Sequence, residues 1–215
     1  DLIFPHHENE IAQSECATSK PFVKYWMHNG FINVKDDKMS KSLGNMLYVR
    51  EALKKYDGNV LRLWLLMSHY RKPISFSNEN LDMASKSLMR VKNFIVRVED
   101  YVIANLNSDG EEVYLNQKIN ELQLNFIESM NDDFNTPAAL GSLFNGIKEI
   151  NQFLDSNGNL SVKILKKYLY IFKGFFQDVL GVCISEEDKN FSWKLANDLI
   201  DILLDLRVKA RAEKN

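Results

Sequence analysis

Two short stretches of this chain carry the residue types best suited to chemistry. They are PHHENE at Pro5–Glu10 and KMSKS at Lys38–Ser42. In the first, a histidine and a glutamate four residues apart would project from one face of a helix as a pair of metal ligands. In the second, two lysines three residues apart form a mobile cationic patch suited to a phosphate chain. Together the two stretches predict an ATP-using, metal-dependent enzyme.

The KMSKS stretch is the more specific signal. Phosphoryl and adenylyl transfers spread negative charge over non-bridging oxygens, and fixed cations there stabilise the transition state. Residues 35–55 hold six basic side chains against three acidic ones. An ordinary solvated loop is the alternative for any lysine-rich segment. The five-residue string, followed by Leu43-Gly44-Asn45, is far more specific than a generic loop and favours ATP binding.

The PHHENE stretch offers His6 and Glu10 as ligands, and zinc is a metal that accepts imidazole and carboxylate together. A hydrogen-bonded surface pair is the alternative for any lone histidine and glutamate at this spacing. His7 points to another helical face and is expected to support the site or pack in the core. Cys16 also lies on a different face from Glu10 and is not assigned as a ligand. The string is not HExxH, which excludes a metalloprotease of that type.

The composition is that of an ordinary globular protein. The 215 residues are 45% hydrophobic and 26% charged, which suggests one or two domains. The formal net charge of -2 does not indicate nucleic-acid binding, although local patches decide such contacts. The two cysteines, Cys16 and Cys183, give no disulfide framework and indicate a reducing cytoplasm. No apolar run is long enough to span a bilayer, so no membrane partner is expected.

The first third of the chain reads as mixed structure that positions the two stretches. A helix should begin near Pro5 and run past Glu15, because proline and acidic residues suit the first turn. A strand is predicted at Phe31–Val34, just before the KMSKS loop. Two short helices at Val49–Tyr56 and Asn59–His69 and an extended piece at Pro73–Phe76 should follow the loop.

From Ser77 onward the pattern predicts a helical bundle. Ser77 is a good N-cap for a long helix whose apolar residues recur at three- and four-residue steps. The predicted inward stripe is Leu81, Ala84, Leu88, Val91, Ile95, Val98 and Val102. Further helices are expected at Leu115–Met130, from an Asn135 or Thr136 cap to about Leu154, at Leu160–Leu180, and after a cap at Ser192. Five helices with short connections make a bundle.

Two weaker candidates for ligand binding can also be explained as ordinary structural residues. In Leu160–Phe176 four lysines alternate with aromatic side chains, a composition that can bind nucleic acid. Ile164, Tyr168, Ile171 and Phe175 nevertheless fall on one helical stripe, which favours a core face opposite a solvated face. His28 precedes the predicted strand and could approach a nucleotide or be an ordinary core histidine.

The string KMSKSLGN resembles the second signature of the class I aminoacyl-tRNA synthetases. In that family the loop binds ATP and stabilises the transition state of amino-acid adenylation. The resemblance implies that ATP is bound by Lys38, Met39, Ser40, Lys41 and Ser42. It also implies catalytic roles for the lysines, with Lys41 closest to the phosphates and Lys38 supporting it.

DLIFPHHENEIAQSE at residues 1–15 closely resembles the cysteinyl-tRNA synthetases within that class. There the first histidine and the last glutamate of HHENE bind zinc with two cysteines from earlier in the chain, which maps to His6 and Glu10. Those cysteines and the family's HIGH-type ATP signature are not present in this sequence. WMHNGF at Trp26–Phe31 and MNDDFNTPAAL at Met130–Leu140 also match, so the resemblance covers essentially the whole chain.

The resemblance implies a mainly α fold: the tail of a Rossmann-type α/β catalytic domain with a KMSKS connecting segment, followed by an antiparallel helical bundle. We expect the catalytic tail with the zinc-ligand helix at residues 1–30, the KMSKS and connecting segment at 31–76, and a tRNA-binding bundle at 77–215. The chain is expected to be a fragment that lacks the N-terminal half of the catalytic domain and the C-terminal end.

The implied function is ATP-dependent activation of cysteine and its transfer to tRNA(Cys). Mg²⁺ would accompany ATP, and one zinc ion would select the cysteine thiolate, because the serine hydroxyl is a harder and far less acidic donor. We expect a cytoplasmic monomer, and no activity from residues 1–215 in isolation. A cysteine ligase that uses an amino-sugar acceptor and a non-catalytic RNA-binding or interaction module are the alternatives.

Overall fold

A computed structural model of the chain describes residues 3–34, 37–38, 49–106, 108–156 and 159–184. A kinked turn at Ile3–His7 leads into the first helix, and a π-helical turn at Phe175–Val179 follows the last. In chain order the described elements are α1 (Glu8–Thr18), β1 (Ile32–Val34), β2 (Asp37–Lys38), α2 (Val49–Lys55), α3 (Gly58–Leu66), β3 (Ile74–Phe76), α4 (Asn78–Ala104), α5 (Val113–Asn131), α6 (Thr136–Asp155) and α7 (Val162–Gly174).

The predicted mainly α fold with a helical bundle is confirmed. Helix α5 packs along α6, and α7 packs against both α4 and α5. Among the described residues no helix is both long and apolar enough to cross a membrane. The predicted helix capped by Ser192 lies outside the described residues.

Side-chain caps set the predicted helix starts. The Ser77 hydroxyl accepts a hydrogen bond from the Asn80 amide at 3.1 Å at the start of α4. The Asn135 side chain accepts one from the Ala138 amide at 3.2 Å at the start of α6. Each bond satisfies a backbone donor that has no partner within its helix, which is why these residue types are favoured there.

The core of the bundle follows the predicted stripe on α4. Six of its seven residues are buried and Val102 is partly buried, while Phe94 joins them. Aromatic rings fill the centre: Phe94 meets Phe172 edge to face with centroids 5.2 Å apart, and Phe172 lies 5.6 Å from Phe176. Such pairs add to the free energy of burial by about 0.5–1.5 kcal/mol each.

The stripe predicted for α7 is displaced by one residue. Tyr168 is buried as expected, but Leu165, Leu169 and Phe172 flank it in the core. Ile164, Ile171 and Phe175 are only partly buried. The buried positions Leu165, Leu169, Phe172 and Phe176 recur at three- and four-residue steps, so the face of the helix that packs on α4 and α5 is the one beside the predicted stripe.

A small sheet lies beside the bundle, with strand order β2-β1-β3. Strands β1 and β3 are parallel, with Ile32 opposite Ile74 and Val34 opposite Phe76. Strands β1 and β2 are antiparallel, with Asn33 opposite Lys38. The sheet therefore connects the start of the KMSKS stretch to the strand that enters α4.

One hydrophobic cluster runs from α3 into the bundle. Leu63 and Trp64 of α3 share it with Leu81 and Leu88 of α4. Trp64 also meets Phe76 of β3 edge to face, with ring centroids 5.5 Å apart. The segment between the KMSKS stretch and the bundle is thus anchored on the bundle core, and the domain limits at residues 30 and 76 stay predictions.

Candidate functional site

The proposed metal ligands face each other at the start of α1. His6 Nε2 lies 3.5 Å from Glu10 Oε1, and the two side chains are 58% and 46% exposed. Two ligand atoms bound about 2.0–2.1 Å from a tetrahedral ion stand about 3.3 Å apart. The pair therefore fits two corners of a zinc site and is open to further ligands.

This pair supplies only half of a four-coordinate site. Within the described ranges, no three histidine, cysteine or acidic side chains are grouped so that they could hold a metal ion. Cys16 is exposed and is not part of such a group. Two more donors are required for the zinc geometry that the resemblance implies.

A cluster of aromatic rings lies beside the start of α1. The sequence did not predict that these rings come together. His7 lies 5.0 Å from the Trp26 ring and 5.2 Å from the His28 ring, measured between centroids. Trp26 and His28 are nearly parallel at 6.2 Å. His28 is exposed in this chain. The cluster fixes the WMHNGF segment against the residue that precedes α1.

The predicted ATP-binding residues lie almost wholly outside the described residues. The backbone of Lys38 is described in β2, opposite Asn33. Met39, Ser40, Lys41 and Ser42 are not within the described ranges. Their roles therefore stay predictions that rest on the sequence string.

The most connected polar group near the site is Asp133, in the turn between α5 and α6. Its carboxylate accepts a hydrogen bond from the Tyr70 hydroxyl at 2.7 Å. It also accepts two from the Arg71 guanidinium, one from Nε and one from Nη2. His69 Nε2 lies 3.9 Å from the same carboxylate. These contacts connect the segment before β3 to the bundle.

Hydrogen bonds dominate the electrostatics of this cluster. Those from Arg71 and Tyr70 lower the pKa of Asp133 to about 2, because they stabilise its charged form. The bond to Asp133 also raises the pKa of Tyr70 above its ordinary value. In the sequence, Asp133 is one residue of MNDDFNTPAAL. A cation and a tyrosine 62 and 63 residues away give no local signal of this contact.

A cavity of about 350 Å³ lies at the same junction. Its walls include Met27 and Ile32 from residues 26–34, here called the site segment. Leu66 of α3, Ile74 of β3 and Phe134 of the bundle also line it. The Thr136 hydroxyl donates to the Leu66 carbonyl at 2.8 Å beside it. The bundle therefore contributes directly to the surroundings of the site segment.

Comparison with known proteins matches both parts of the chain. Residues 1–86 match the model of the class I (C) tRNA synthetase catalytic domain, and residues 125–184 match the DALR domain. A cysteine–tRNA ligase of Fusobacterium nucleatum subsp. nucleatum is 45% identical over 222 residues, covering 100% of this chain and 46% of the relative. That of Shouchella clausii is 41% identical, covering 100% of this chain and 45% of the relative. The chain belongs to the cysteinyl-tRNA synthetase family.

This member of the cysteinyl-tRNA synthetase family spans about half the length of the curated relatives it matches. A solved LeuRS from Agrobacterium radiobacter K84, in a ternary complex with tRNA and LeuAMS, superposes with a TM-score of 0.63 at 20% identity. The match covers 85% of this chain and 26% of the LeuRS chain. It supports the class I synthetase fold alone.

Proposed function

We propose that the protein carrying this chain activates cysteine with ATP and transfers it to tRNA(Cys). The observation that carries the proposal is the identity of about two residues in five, over the whole chain, with proteins named cysteine–tRNA ligase. In this reaction the cysteine carboxylate attacks the α-phosphate of ATP and pyrophosphate leaves. The terminal ribose of the tRNA then takes the cysteinyl group and AMP leaves. Mg²⁺ would enter with ATP.

His6 and Glu10 are the residues proposed to hold zinc. Their 3.5 Å separation and open position support this role. A zinc ion there would supply a binding position for the substrate's thiolate. The chain's own contribution is to present an imidazole and a carboxylate at fixed spacing from the first turn of a helix, with His7 held by Trp26 beside them.

Lys41 and Lys38 are proposed to stabilise the transition state of adenylation. Negative charge develops on the non-bridging phosphate oxygens as pyrophosphate leaves, and a lysine ammonium is a compact charge suited to that position. Lys38 is the second residue of β2, so its backbone is held by the pairing of β2 with β1. This placement favours the proposed role of Lys38, which is to assist Lys41.

The bundle is proposed to face the tRNA. A groove between α4 and α6 is lined by Lys86, Arg90, Asn93 and Arg97, and no carboxylate is among the described residues that line it. Arg97 is paired with Asp155, while Arg90 lies over the Phe144 ring at 5.7 Å. Cations along one groove suit a phosphate backbone, although the net charge of the chain is -2.

ATP–pyrophosphate exchange on the longest native polypeptide containing this sequence tests the proposal. Exchange is expected with cysteine and not with serine or without an amino acid. Transfer to tRNA(Cys) rather than to an amino-sugar would then identify the acceptor. A folded, zinc-loaded protein that shows no cysteine-dependent exchange would remove the synthetase assignment and favour a non-catalytic RNA-binding module.

A metal measurement on the same protein tests the ligand pair. His6→Asn is expected to lower bound zinc and to raise the KM for cysteine, because one ligand is lost. His28→Asn is the matched control, since it removes an exposed imidazole that is not assigned as a ligand and does not adjoin the pair in sequence. Equal zinc loss in both variants would contradict the assignment of His6.

A further inference from the structure

The side of α7 that faces away from the core carries a group of lysines. Lys163, Lys166 and Lys167 are exposed, and their spacing places them on one side of the helix together with Tyr170. The opposite side packs in the core, where Tyr168 is buried. We call Lys163, Lys166, Lys167 and Tyr170 the α7 outer face.

The charges of this face are not neutralised by neighbouring side chains. None of its three lysines forms an ion pair with a residue that the structure describes. Carboxylates meet α7 at its ends instead: Glu99 pairs with Lys173 at 2.7 Å, and Glu112 accepts a hydrogen bond from the Ser161 hydroxyl at 3.2 Å. Helices α4, α5 and α6 each carry carboxylates, whereas Val162–Gly174 has none. The face is therefore a local concentration of positive charge in a chain whose formal net charge is -2.

The stability of the helix does not explain this arrangement. Lys163 and Lys167 are four residues apart, and like charges at that spacing repel each other. Lys163 also lies in the first turn, near the positive end of the helix dipole, and no acidic residue in that turn offsets it. Solubility would be served as well by charges of mixed sign, as on the other bundle helices. The lysines therefore suit a negatively charged partner.

Tyr170 indicates which kind of negatively charged partner fits. Its side chain is 81% exposed, whereas the other aromatic side chains of α4–α7 are buried or half-buried. An exposed ring among cations is a surface on which any nucleobase can stack while the lysines contact phosphates. An acidic protein surface would pair with the lysines but would leave the ring without a specific partner.

We propose that the α7 outer face binds tRNA(Cys), with its three lysines on the phosphates of one strand and Tyr170 stacked on an unpaired base. This inference rests on the proposed function, which supplies the tRNA. It adds a second surface to the groove between α4 and α6, whose described lining comes from those two helices. A loop or bulge is the segment that fits, because a base inside a paired stem cannot lie on a ring.

Equilibrium binding of a tRNA(Cys) transcript to the longest native polypeptide, at several salt concentrations, tests the lysines. Combining Lys163→Gln, Lys166→Gln and Lys167→Gln should weaken binding about tenfold. It should also make the slope of log K against log[salt] shallower by about 2, since each single-strand phosphate contact contributes about 0.7.

Lys173→Gln is the matched control for the lysines, because it removes a cation of the same helix that Glu99 already neutralises. It should weaken binding by less than about twofold and leave the salt slope unchanged. If the triple variant changed the slope no more than Lys173→Gln does, the inference would be overturned. All these side chains lie on the surface, so the thermal unfolding midpoints should stay within about 2 °C of wild type.

Tyr170 is tested by separating its ring from its hydroxyl. Tyr170→Ala should weaken tRNA binding at least about fivefold, whereas Tyr170→Phe keeps the stacking surface and should stay within about twofold. Poly-glutamate, a polyanion without bases, should bind wild type and Tyr170→Ala equally well. Unchanged tRNA binding by Tyr170→Ala, or an equal loss of poly-glutamate binding, would contradict base stacking.

Two further outcomes distinguish the remaining explanations. If the triple lysine variant lost poly-glutamate binding but kept tRNA binding, the face would serve an acidic protein and the inference would be overturned. A wild-type protein without cysteine-dependent pyrophosphate exchange would instead remove the proposed function. Failure of the inference and failure of the proposed function are therefore distinct.

Discussion

Residues 3–33 and the bundle differ in how much of their apolar surface is buried in this chain. Among described residues 3–33 none is buried, and large apolar side chains such as Phe4 and Tyr25 are 79% and 86% exposed. The bundle instead buries Phe94, Tyr168 and Phe172 almost completely. Burial of apolar area is what stabilises a fold. Within this chain the bundle therefore supplies most of the stability.

The largest expected effect tests this division through stability. Phe172→Ala should lower the free energy of unfolding by about 3–5 kcal/mol, because it leaves a cavity where Phe94 and Phe176 now pack. Tyr25→Ala is the matched aromatic truncation in the other region and should change it by less than about 0.5 kcal/mol. Denaturant unfolding of the chain, followed by far-UV circular dichroism, measures both. Similar losses in the two variants would contradict the division.

The same division explains how much the sequence could predict. The stripe on α4 and the caps at Ser77 and Asn135 were predictable, because each depends on residues within one or two turns of helix. The spacing of His6 and Glu10 was also a local signal, and it predicted that the two side chains share one side of the helix start. These signals depend on residues close together in sequence, and they can be recognised both in residues 3–33 and in the bundle.

What the sequence did not predict depends on contacts between distant residues. The face of α7 that packs on α4 and α5 lies one position from the predicted stripe, and apolar residues on both neighbouring faces of that helix leave the choice to its packing partners. The Asp133 cluster joins residues 62 and 63 positions apart. The grouping of His7, Trp26 and His28 also required the fold of the intervening chain. The positions of the KMSKS side chains lie outside the described residues.

The next largest expected change in stability concerns Gly146 and Tyr168 in the bundle core. Gly146 of α6 is buried against Tyr168, and a Cβ atom there would stand 2.2 Å from the Tyr168 hydroxyl oxygen. That hydroxyl is buried without a hydrogen-bond partner among the described residues. Burial also raises the pKa of Tyr168. Gly146→Ala should therefore destabilise the protein by about 1–3 kcal/mol, although alanine is the better helix former.

Removing the hydroxyl should reverse that result. Tyr168→Phe deletes an unsatisfied buried group and is expected to be neutral or to stabilise by about 1 kcal/mol. In the Tyr168→Phe background the new Cβ of Ala at position 146 would meet the ring carbon at 3.6 Å, an ordinary contact. Gly146→Ala should then be neutral or stabilising. Additive effects in a double-mutant cycle would show that the hydroxyl does not cause the clash.

The smallest expected effect lies where the two regions meet, and it concerns the charge of Asp133. A carboxyl whose pKa falls from 3.8 to about 2 on folding contributes stability at pH values above 3.8 and loses it as pH falls through about 2. The pair is exposed, so its contribution to stability is small and the titration itself is the sensitive measurement. Carboxyl NMR should place the Asp133 transition near pH 2, well below that of an ordinary aspartate.

Arg71→Met should move that transition up toward 3.8, because the guanidinium hydrogen bonds are the largest cause of the lowered pKa of Asp133. Tyr70→Phe should move it less, since the Tyr70 hydrogen bond is the next largest cause. Lys72→Met is the matched control, because it removes the next cation along the chain, and the bonds to Asp133 described above come from Tyr70 and Arg71. If Lys72→Met raised the pKa of Asp133 as much as Arg71→Met does, the hydrogen bonds from Arg71 would not be the cause. The positive charge of the whole turn would then keep the Asp133 carboxylate ionised.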